Sequence, residues 1–142
     1  MMIAIGADHG GYKLKEDIKK HLKKRNIAFK DFGTFSEESV DYPDIGKLVS
    51  KAVAAKKYRF GILVCGTGLG MSMVANKVPG IRAAVCHNVY TARMSRAHND
   101  ANILALGGRV TKKAMAMKVV DVFLKTPFEG GRHLRRVRKI GK

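Results

Sequence analysis

The sequence predicts an α/β fold in which one parallel sheet of five strands carries helices on both faces. Three observations indicate it: short apolar segments alternate with amphipathic ones, glycine or polar residues follow each apolar segment, and no internal repeat or linker interrupts this rhythm. The chain has 142 residues, 46% of them hydrophobic, and three prolines, which suits one domain with a substantial core. We therefore expect residues 1–142 to form a single domain.

The first part of the chain has the pattern of two strands and two helices. Met2 to Ala7 is a short apolar segment that predicts a strand, and a second strand is predicted at Ile27 to Phe32, closed by Gly33. Between them, Tyr12 to Arg25 places leucine and isoleucine at helical spacing with lysines elsewhere, which is typical of an amphipathic helix. A second helix is predicted to open with the segment DYPD. Its core positions are expected to be Ile45, Leu48, Val49, Ala52 and Val53.

The central segment, FGILVCGTGLGMS, joins a buried strand to a glycine-rich turn and a helix. The almost continuous apolar run from Phe60 stops at Cys65, and a helix is predicted from Met71 to Lys77. Backbone N–H groups in such a turn, together with the helix dipole, form an anion pocket. A cysteine at this position is stabilised as a thiolate and could act as a base or nucleophile, although an inert, buried cysteine at a strand end fits the same pattern.

Three glycines, Gly66, Gly68 and Gly70, keep the turn after this strand free of side chains. Their spacing is too tight for the dinucleotide fingerprint, and the Lys-Ser/Thr pair of a P-loop does not follow them. The glycines instead expose the carboxyl end of the strand to a ligand.

The rest of the chain completes the sheet and adds a tail of different composition. Strands are predicted at Ile81 to Cys86 and Ala101 to Leu106, with a helix from Tyr90 to Ala97 between them. Thr111 is predicted to cap a longer helix that ends at Leu124. Residues 126–142 then contain helix-breaking proline and glycine followed by the basic segment RHLRRVRKIGK. We expect this tail to pack on its own chain or on a partner subunit.

The net charge of +17 is the most unusual bulk property. The lysines are spread over predicted helix faces, and no zinc-finger, helix-turn-helix or RNA-recognition motif accompanies them, so we interpret them mainly as solvated surface rather than a specific nucleic-acid site. The two cysteines form no CxxC pair, which favours a reducing compartment. No apolar run approaches a membrane span, so the expected location is the cytoplasm.

Polar groups follow several of the predicted strands. Because ligands bind at the carboxyl ends of strands in open α/β sheets, Asp8-His9, Cys65 to Gly70, His98-Asn99 and Arg109 are predicted to meet over one pocket. Taken singly, Asp8 fits a turn residue, His9 a helix cap and His98 a partner of a helix dipole. His133, in the tail, receives no assignment from the sequence.

The segments GADHGGYKLKE, SVDYPD, CGTGLGMSMVANK, SRAHNDANILALGGR and TPFEGGRHLRRVRKI resemble the type B ribose-5-phosphate isomerase family. That family also includes the subunits of galactose-6-phosphate isomerase and allose-6-phosphate isomerases. The resemblance runs from Met2 to about Ile140. It implies a Rossmann-like three-layer α/β/α sandwich with a C-terminal helical tail, in which the first and third strands are neighbours.

The resemblance also implies interconversion of ribose 5-phosphate and ribulose 5-phosphate without a metal or other cofactor. Cys65 matches the family's base, which moves a proton between C2 and C1 through a cis-enediolate. Some members use a glutamate in the glycine loop instead, but this chain has Leu69 there. Thr67 would hydrogen-bond the reacting oxygens or help move a proton between them. The loop amides that would stabilise the oxyanion belong to Gly66, Thr67, Gly68, Leu69 and Gly70.

The remaining site residues implied by the resemblance open the sugar ring or bind the substrate. His98 would protonate the ring oxygen with help from Asp8, and Asn99 would hold a sugar hydroxyl. Tyr42 belongs to the substrate-binding set or packs over the sheet edge. The phosphate would be held by His9, Arg109, Arg132 and Arg136. In the family the site lies between two subunits, so a homodimer with shared active sites is implied, with a tetramer left open.

Two other functions remain open from the sequence. Allose 6-phosphate or galactose 6-phosphate is an alternative substrate, because a pocket for one more carbon is not visible in a sequence. A non-enzymatic protein that binds polyanions through its basic surface is the alternative outside enzymes.

Overall fold

The computed structural model describes residues 1–141 and is built around a five-stranded parallel sheet. The strands are β1 (Met2–Ala7), β2 (Ala28–Asp31), β3 (Phe60–Cys65), β4 (Ala83–Val85) and β5 (Ile103–Gly107). Their order across the sheet is β2-β1-β3-β5-β4, and every neighbouring pair is parallel. The predicted sheet is therefore confirmed, as is the expected pairing of the first and third strands.

Six helices complete the fold. They are α1 (Tyr12–Lys24), α2 (Tyr42–Ala54), α3 (Leu69–Ala75), α4 (Val89–Ala97), α5 (Lys113–Lys125) and α6 (Arg132–Ile140). Helices α1, α4 and α5 pack on one face of the sheet, and α2 and α3 pack on the other, which gives the expected three layers. The predicted tail is helical as far as Ile140, and its last residue, Lys142, lies outside the described residues. Within residues 1–141, no helix combines the length and apolarity needed to cross a bilayer.

The central strand β3 is buried along its whole length. Its alternate side chains contribute to two separate cores, with Ile62 and Val64 on the α1/α5 side and Leu63 and Cys65 on the α2/α3 side. This alternation follows from the period of two in a strand. It places the Cys65 side chain at the carboxyl end of β3, on the face covered by α3.

Two sequence expectations about the helices are wrong. Leu48, predicted as a core position of α2, is 52% exposed, because the buried side of the helix runs through Val49 and Val53 instead. Thr111 does not cap α5, which begins at Lys113 after Lys112. Its hydroxyl lies 3.2 Å from Nδ1 of His87.

Lys15, interpreted from the sequence as part of the solvated surface, is fully buried. Its ammonium group donates to the Asp31 carboxylate at 2.6 and 2.8 Å and to the Thr34 carbonyl at 2.7 Å. Burial alone would raise the pKa of Asp31, but hydrogen bonds from Lys15, Lys19 and the Gly33 N–H outweigh it and lower that pKa. The charge of Lys15 therefore forms an internal ion pair and is not part of the solvated surface.

Arg96, on α4, is a buried cation that joins three parts of the chain. Its guanidinium donates to the carbonyls of Ala101 at 2.7 Å and Thr126 at 3.2 Å and to the Asp100 carboxylate at 2.9 Å. Its Cζ also lies 4.7 Å from the ring centre of Phe60. Arg96 thus fixes the segment that leads into β5 and the segment that follows α5.

We expect Arg96→Ala to lower the free energy of unfolding by about 3 kcal/mol, because buried carbonyls and an acidic partner lose their donor. Urea denaturation of the purified protein measures the change. The matched control is Arg93→Ala, an exposed arginine on the same helix, for which we expect a change below about 0.5 kcal/mol. Equal unfolding midpoints for the two variants would contradict a structural role for Arg96.

Candidate active site

The carboxyl edge of the sheet gathers ten of the fourteen residues predicted for the site, and we refer to them as the carboxyl-edge group. Asp8 follows β1 directly, and its N–H donates to the Val64 carbonyl of β3 at 3.1 Å, which places it beside the end of that strand. The Asp8 side chain is buried and accepts from the Gly11 N–H at 3.1 Å. The group consists of Asp8, His9, Tyr42, Cys65, Gly66, Thr67, Gly68, Leu69, Gly70 and Arg109.

The thiol of Cys65 lies at the start of the turn that leads into α3. The Gly68 N–H donates to its Sγ at 3.1 Å, which holds the sulfur against the turn. Gly68 has φ +85°, a left-handed conformation in which glycine carries no steric penalty. The next N–H, that of Leu69, donates to the Thr67 hydroxyl at 3.2 Å. The turn therefore directs two of its amides toward its own side chains.

Close backbone packing brings the remaining members of the carboxyl-edge group around this turn. A Cβ on Gly107, at the end of β5, would lie 2.7 Å from the Thr67 backbone. Only glycine at position 107 therefore allows the turn to pack this closely against the end of β5. The Arg109 side chain approaches Gly66, where a Cβ would lie 3.2 Å from its Nη1. Tyr42 approaches Gly70 in the same way, with its ring 2.6 Å from the Cβ position.

His9 is oriented by the loop before α2. Its Nδ1 accepts a hydrogen bond from the Val40 N–H at 3.2 Å, which leaves Nε2 as the nitrogen that can contact a ligand. Together with Arg109, the ring of His9 gives this edge a second basic side chain. The carboxyl-edge group thus combines a thiol, a buried carboxylate, free amides and basic groups.

His98 and Asn99 do not lie at this edge, so the prediction that they join the other polar groups at the carboxyl ends of the strands is wrong. They follow helix α4, which runs back across the sheet and ends before β5 begins. The Gly61 N–H donates to the Asn102 carbonyl at 2.9 Å, which puts this segment level with the start of β3. Cys65, by contrast, pairs with Gly107 at the end of β5.

The tail arginines lie with His98 and Asn99, at the amino edge of the sheet. The Glu129 N–H donates to the Ala97 carbonyl at 3.0 Å, which ties the tail to the end of α4. Arg132 and Arg136, one turn apart on α6, are both exposed. We call His98, Asn99, Arg132 and Arg136 the amino-edge group.

The two groups are separated by the length of the strands. At a rise of about 3.3 Å per residue, roughly 16 Å along the sheet separates the level of Asn102 from that of Gly107 and Cys65. No side chain spans that distance. Contact between the two groups around one small ligand therefore requires two copies of the chain.

Beside His98 lies a cluster that sequence reasoning missed. The imidazole rings of His98 and His133 stack with their centres 4.2 Å apart and their planes 11° from parallel. Oε1 of Glu129 lies 3.8 Å from Nε2 of His98 and 3.5 Å from Nε2 of His133. Glu129 lies before α6, and two glycines with positive φ, Gly130 and Gly131, separate it from the helix, so no helical spacing in the sequence signals this contact.

These three residues are also the one group within residues 1–141 whose donor atoms lie close enough for a metal ion, within 4.8 Å of one another. The ring geometry fits a shared metal poorly. Imidazole lone pairs lie in the ring plane, and in two nearly parallel rings they do not converge on one point. A stacked pair beside a carboxylate describes the cluster better than a metal centre.

The chain has extensive similarity to known proteins. The sequence profile described as Ribose/Galactose Isomerase matches residues 3–140. The solved structure of ribose-5-phosphate isomerase B from Clostridium thermocellum is 61% identical, covers 99% of this chain and 95% of its own, and has a TM-score of 0.98. The Escherichia coli protein named ribose-5-phosphate isomerase B is 49% identical over 97% of this chain and 93% of its own.

A third relative was solved with a sugar phosphate. Ribose-5-phosphate isomerase B from Mycoplasma genitalium, with bound ribulose-5-phosphate, is 43% identical, covers 98% of this chain and 93% of its own, and has a TM-score of 0.94. The profile match and these identities extend over nearly the whole chain and over nearly the whole of each relative. The chain therefore belongs to the ribose/galactose isomerase family.

Proposed function

We propose that the protein interconverts ribose 5-phosphate and ribulose 5-phosphate, with Cys65 as the base. The observation that carries the proposal is the thiol at the start of the glycine turn, held by the Gly68 N–H at 3.1 Å. A thiolate there can take a proton from a carbon placed over the turn. Family membership supports the same assignment.

The isomerisation is a proton transfer with no net gain or loss of atoms. The Cys65 thiolate removes the C2 proton of the open-chain aldose, the electron pair forms the cis-enediolate, and the proton returns to C1 while a proton moves from O2 to O1. Because Gly68 and Leu69 direct their N–H groups to side chains of the turn, the amides of Gly66, Thr67 and Gly70 are left for the oxyanion. Each such donor contributes typically about 3 kcal/mol of transition-state stabilisation.

Ring opening and phosphate binding are assigned to basic groups at both edges. His98 protonates the ring oxygen, with Asp8 accepting the hydroxyl proton and Asn99 holding a sugar hydroxyl. His9, Arg109, Arg132 and Arg136 bind the phosphate, for which forked guanidinium groups are well suited. Tyr42 and Leu69 line the sugar pocket beside the turn.

The roughly 16 Å between the two edges supports a homodimer in which each site takes one group from each chain. A twofold arrangement that brings the carboxyl-edge group of one copy to the amino-edge group of the other forms two equivalent sites. The exposed side chains of Leu69 and Met73, one turn apart on α3, supply apolar surface next to the turn for such a contact. Two free cysteines support a reducing compartment, and we assign the protein to the cytoplasm.

The test is conversion of ribose 5-phosphate to ribulose 5-phosphate by the purified protein in buffer with a chelator. We expect turnover on the order of 1–1,000 per second, as for most enzymes. Allose 6-phosphate and galactose 6-phosphate are assayed in parallel. Faster turnover of a six-carbon substrate would show that the proposed sugar is wrong, and no turnover of any of the three would contradict the isomerase proposal.

A further inference from the structure

The cluster of His98, Glu129 and His133 contains a buried ring nitrogen that makes no hydrogen bond to the described residues. Within residues 1–141, Nε2 of His133 has no hydrogen-bond partner although the residue is only 7% exposed. Leaving such a group unsatisfied is destabilising, so a nearby acceptor matters. The nearest charged acceptor is the Glu129 carboxylate at 3.5 Å, which is within one small side-chain movement of a hydrogen bond.

The surroundings of His133 lower its pKa, which favours the neutral ring. Burial is the main cause that lowers the pKa of His133, and the neighbouring His98, Arg132 and Arg136 lower it further, against the opposing effect of Glu129. A neutral His133 exerts no charge repulsion on a protonated His98 stacked against it. His98, whose side chain is 39% exposed against 8% for His133, is the ring of the stack that a ligand can reach.

We propose that Glu129 and His133 position His98 for proton transfer to the sugar ring oxygen. This inference rests on the proposed function and adds two positioning residues to it. The His133 ring fixes the plane of the His98 imidazole, and the Glu129 carboxylate holds Nε2 of His98. Nδ1 of His98 is then the nitrogen that exchanges a proton with the substrate.

The arrangement follows a common solution for an acid–base histidine. One ring nitrogen faces a carboxylate that sets its orientation, and the other faces the reacting atom. The distance of 3.8 Å between Glu129 and His98 is longer than a hydrogen bond, and such contacts often tighten only when substrate binds. The backbone bond from Glu129 to Ala97 keeps the carboxylate next to the end of α4 in the meantime.

The test compares His133→Ala, His133→Phe and Glu129→Ala with the wild type in the ribose 5-phosphate assay. We expect kcat to fall by about tenfold to a hundredfold in His133→Ala and Glu129→Ala, as for small displacements of a catalytic group, with KM within about twofold. His133→Phe keeps a flat ring against His98, so we expect it to recover most of kcat. Leu134→Ala, on the exposed side of α6, is the matched control and is expected to behave as wild type.

A merely structural role would give a different pattern. Loosening α6 displaces Arg132 and Arg136, so it would raise KM for the phosphate substrate and leave kcat largely unchanged. That pattern in His133→Ala and Glu129→Ala would overturn the proposal. Equal kcat losses in His133→Phe and His133→Ala would also overturn it, because the stacked ring would then have no positioning effect.

Proton NMR gives a readout that does not depend on turnover. A ring stacked on His98 shifts its imidazole C–H resonances upfield, and we expect this shift to disappear in His133→Ala and to persist in His133→Phe. Absence of the shift in the wild type would contradict the stack itself. If the wild-type protein does not convert ribose 5-phosphate at all, the proposed function is wrong and this inference fails with it. If the wild type turns over and the variants keep its kcat, this inference alone is rejected.

Discussion

Replacing Cys65 by alanine is expected to reduce kcat for ribose 5-phosphate by about a thousandfold or more. The substitution removes the proposed base, and a positioned general base contributes typically a factor of about 100 to 10,000. The side chain is small and lies at the end of β3, so the fold should remain intact. The measurement is steady-state turnover, with circular dichroism to establish that the variant is folded.

The second cysteine supplies the control. Cys86, after β4, is also buried and free, but burial raises the pKa of its thiol despite hydrogen bonds from Ser95 and Thr91. It therefore stays protonated, and Cys86→Ala should retain wild-type turnover. A folded Cys65→Ala variant with wild-type kcat would show that another group removes the proton.

The sheet could be predicted from the sequence because most of its strands are apolar runs that end near glycine or a polar residue. The packing of individual side chains against particular neighbours could not be predicted. Leu48 continues the apolar spacing of α2, yet no element covers it, and Lys15 looks like every other lysine of α1 although Asp31 comes to it from a separate strand. Such residues depend on contacts between distant parts of the chain, which a local pattern does not contain.

The carboxyl-edge group could be predicted because residues that follow parallel strands share one edge of the sheet. The same topology shows why His98 and Asn99 were misplaced. They follow a helix, and helices in this fold return the chain to the opposite edge before the next strand begins. The stack of His98 on His133 could not be predicted, since it joins the end of α4 to the start of α6 in three dimensions only.

The separation of the two edge groups predicts that two inactive variants restore each other's activity when they form a mixed dimer. Cys65→Ala disables the carboxyl-edge group of a chain, and His98→Asn disables its amino-edge group by removing the ring-opening acid. If each site takes one group from each chain, a dimer of the two variants contains one site with both defects and one site with neither. Activity should therefore reappear when two inactive chains are combined.

The experiment co-expresses the two variants with different affinity tags and purifies the heterodimer through both tags in turn. A matched control combines Cys65→Ala with Asp8→Asn, because both residues belong to the carboxyl-edge group and each site of that heterodimer keeps one defect. Each parent homodimer is assayed under the same conditions with ribose 5-phosphate.

The turnover of the Cys65→Ala/His98→Asn heterodimer decides whether two chains share each active site. We predict about half of the wild-type activity per dimer, since one of two equivalent sites is intact. The control heterodimer should stay at the level of the parents. A Cys65→Ala/His98→Asn heterodimer as inactive as its parents would contradict an active site shared between two chains.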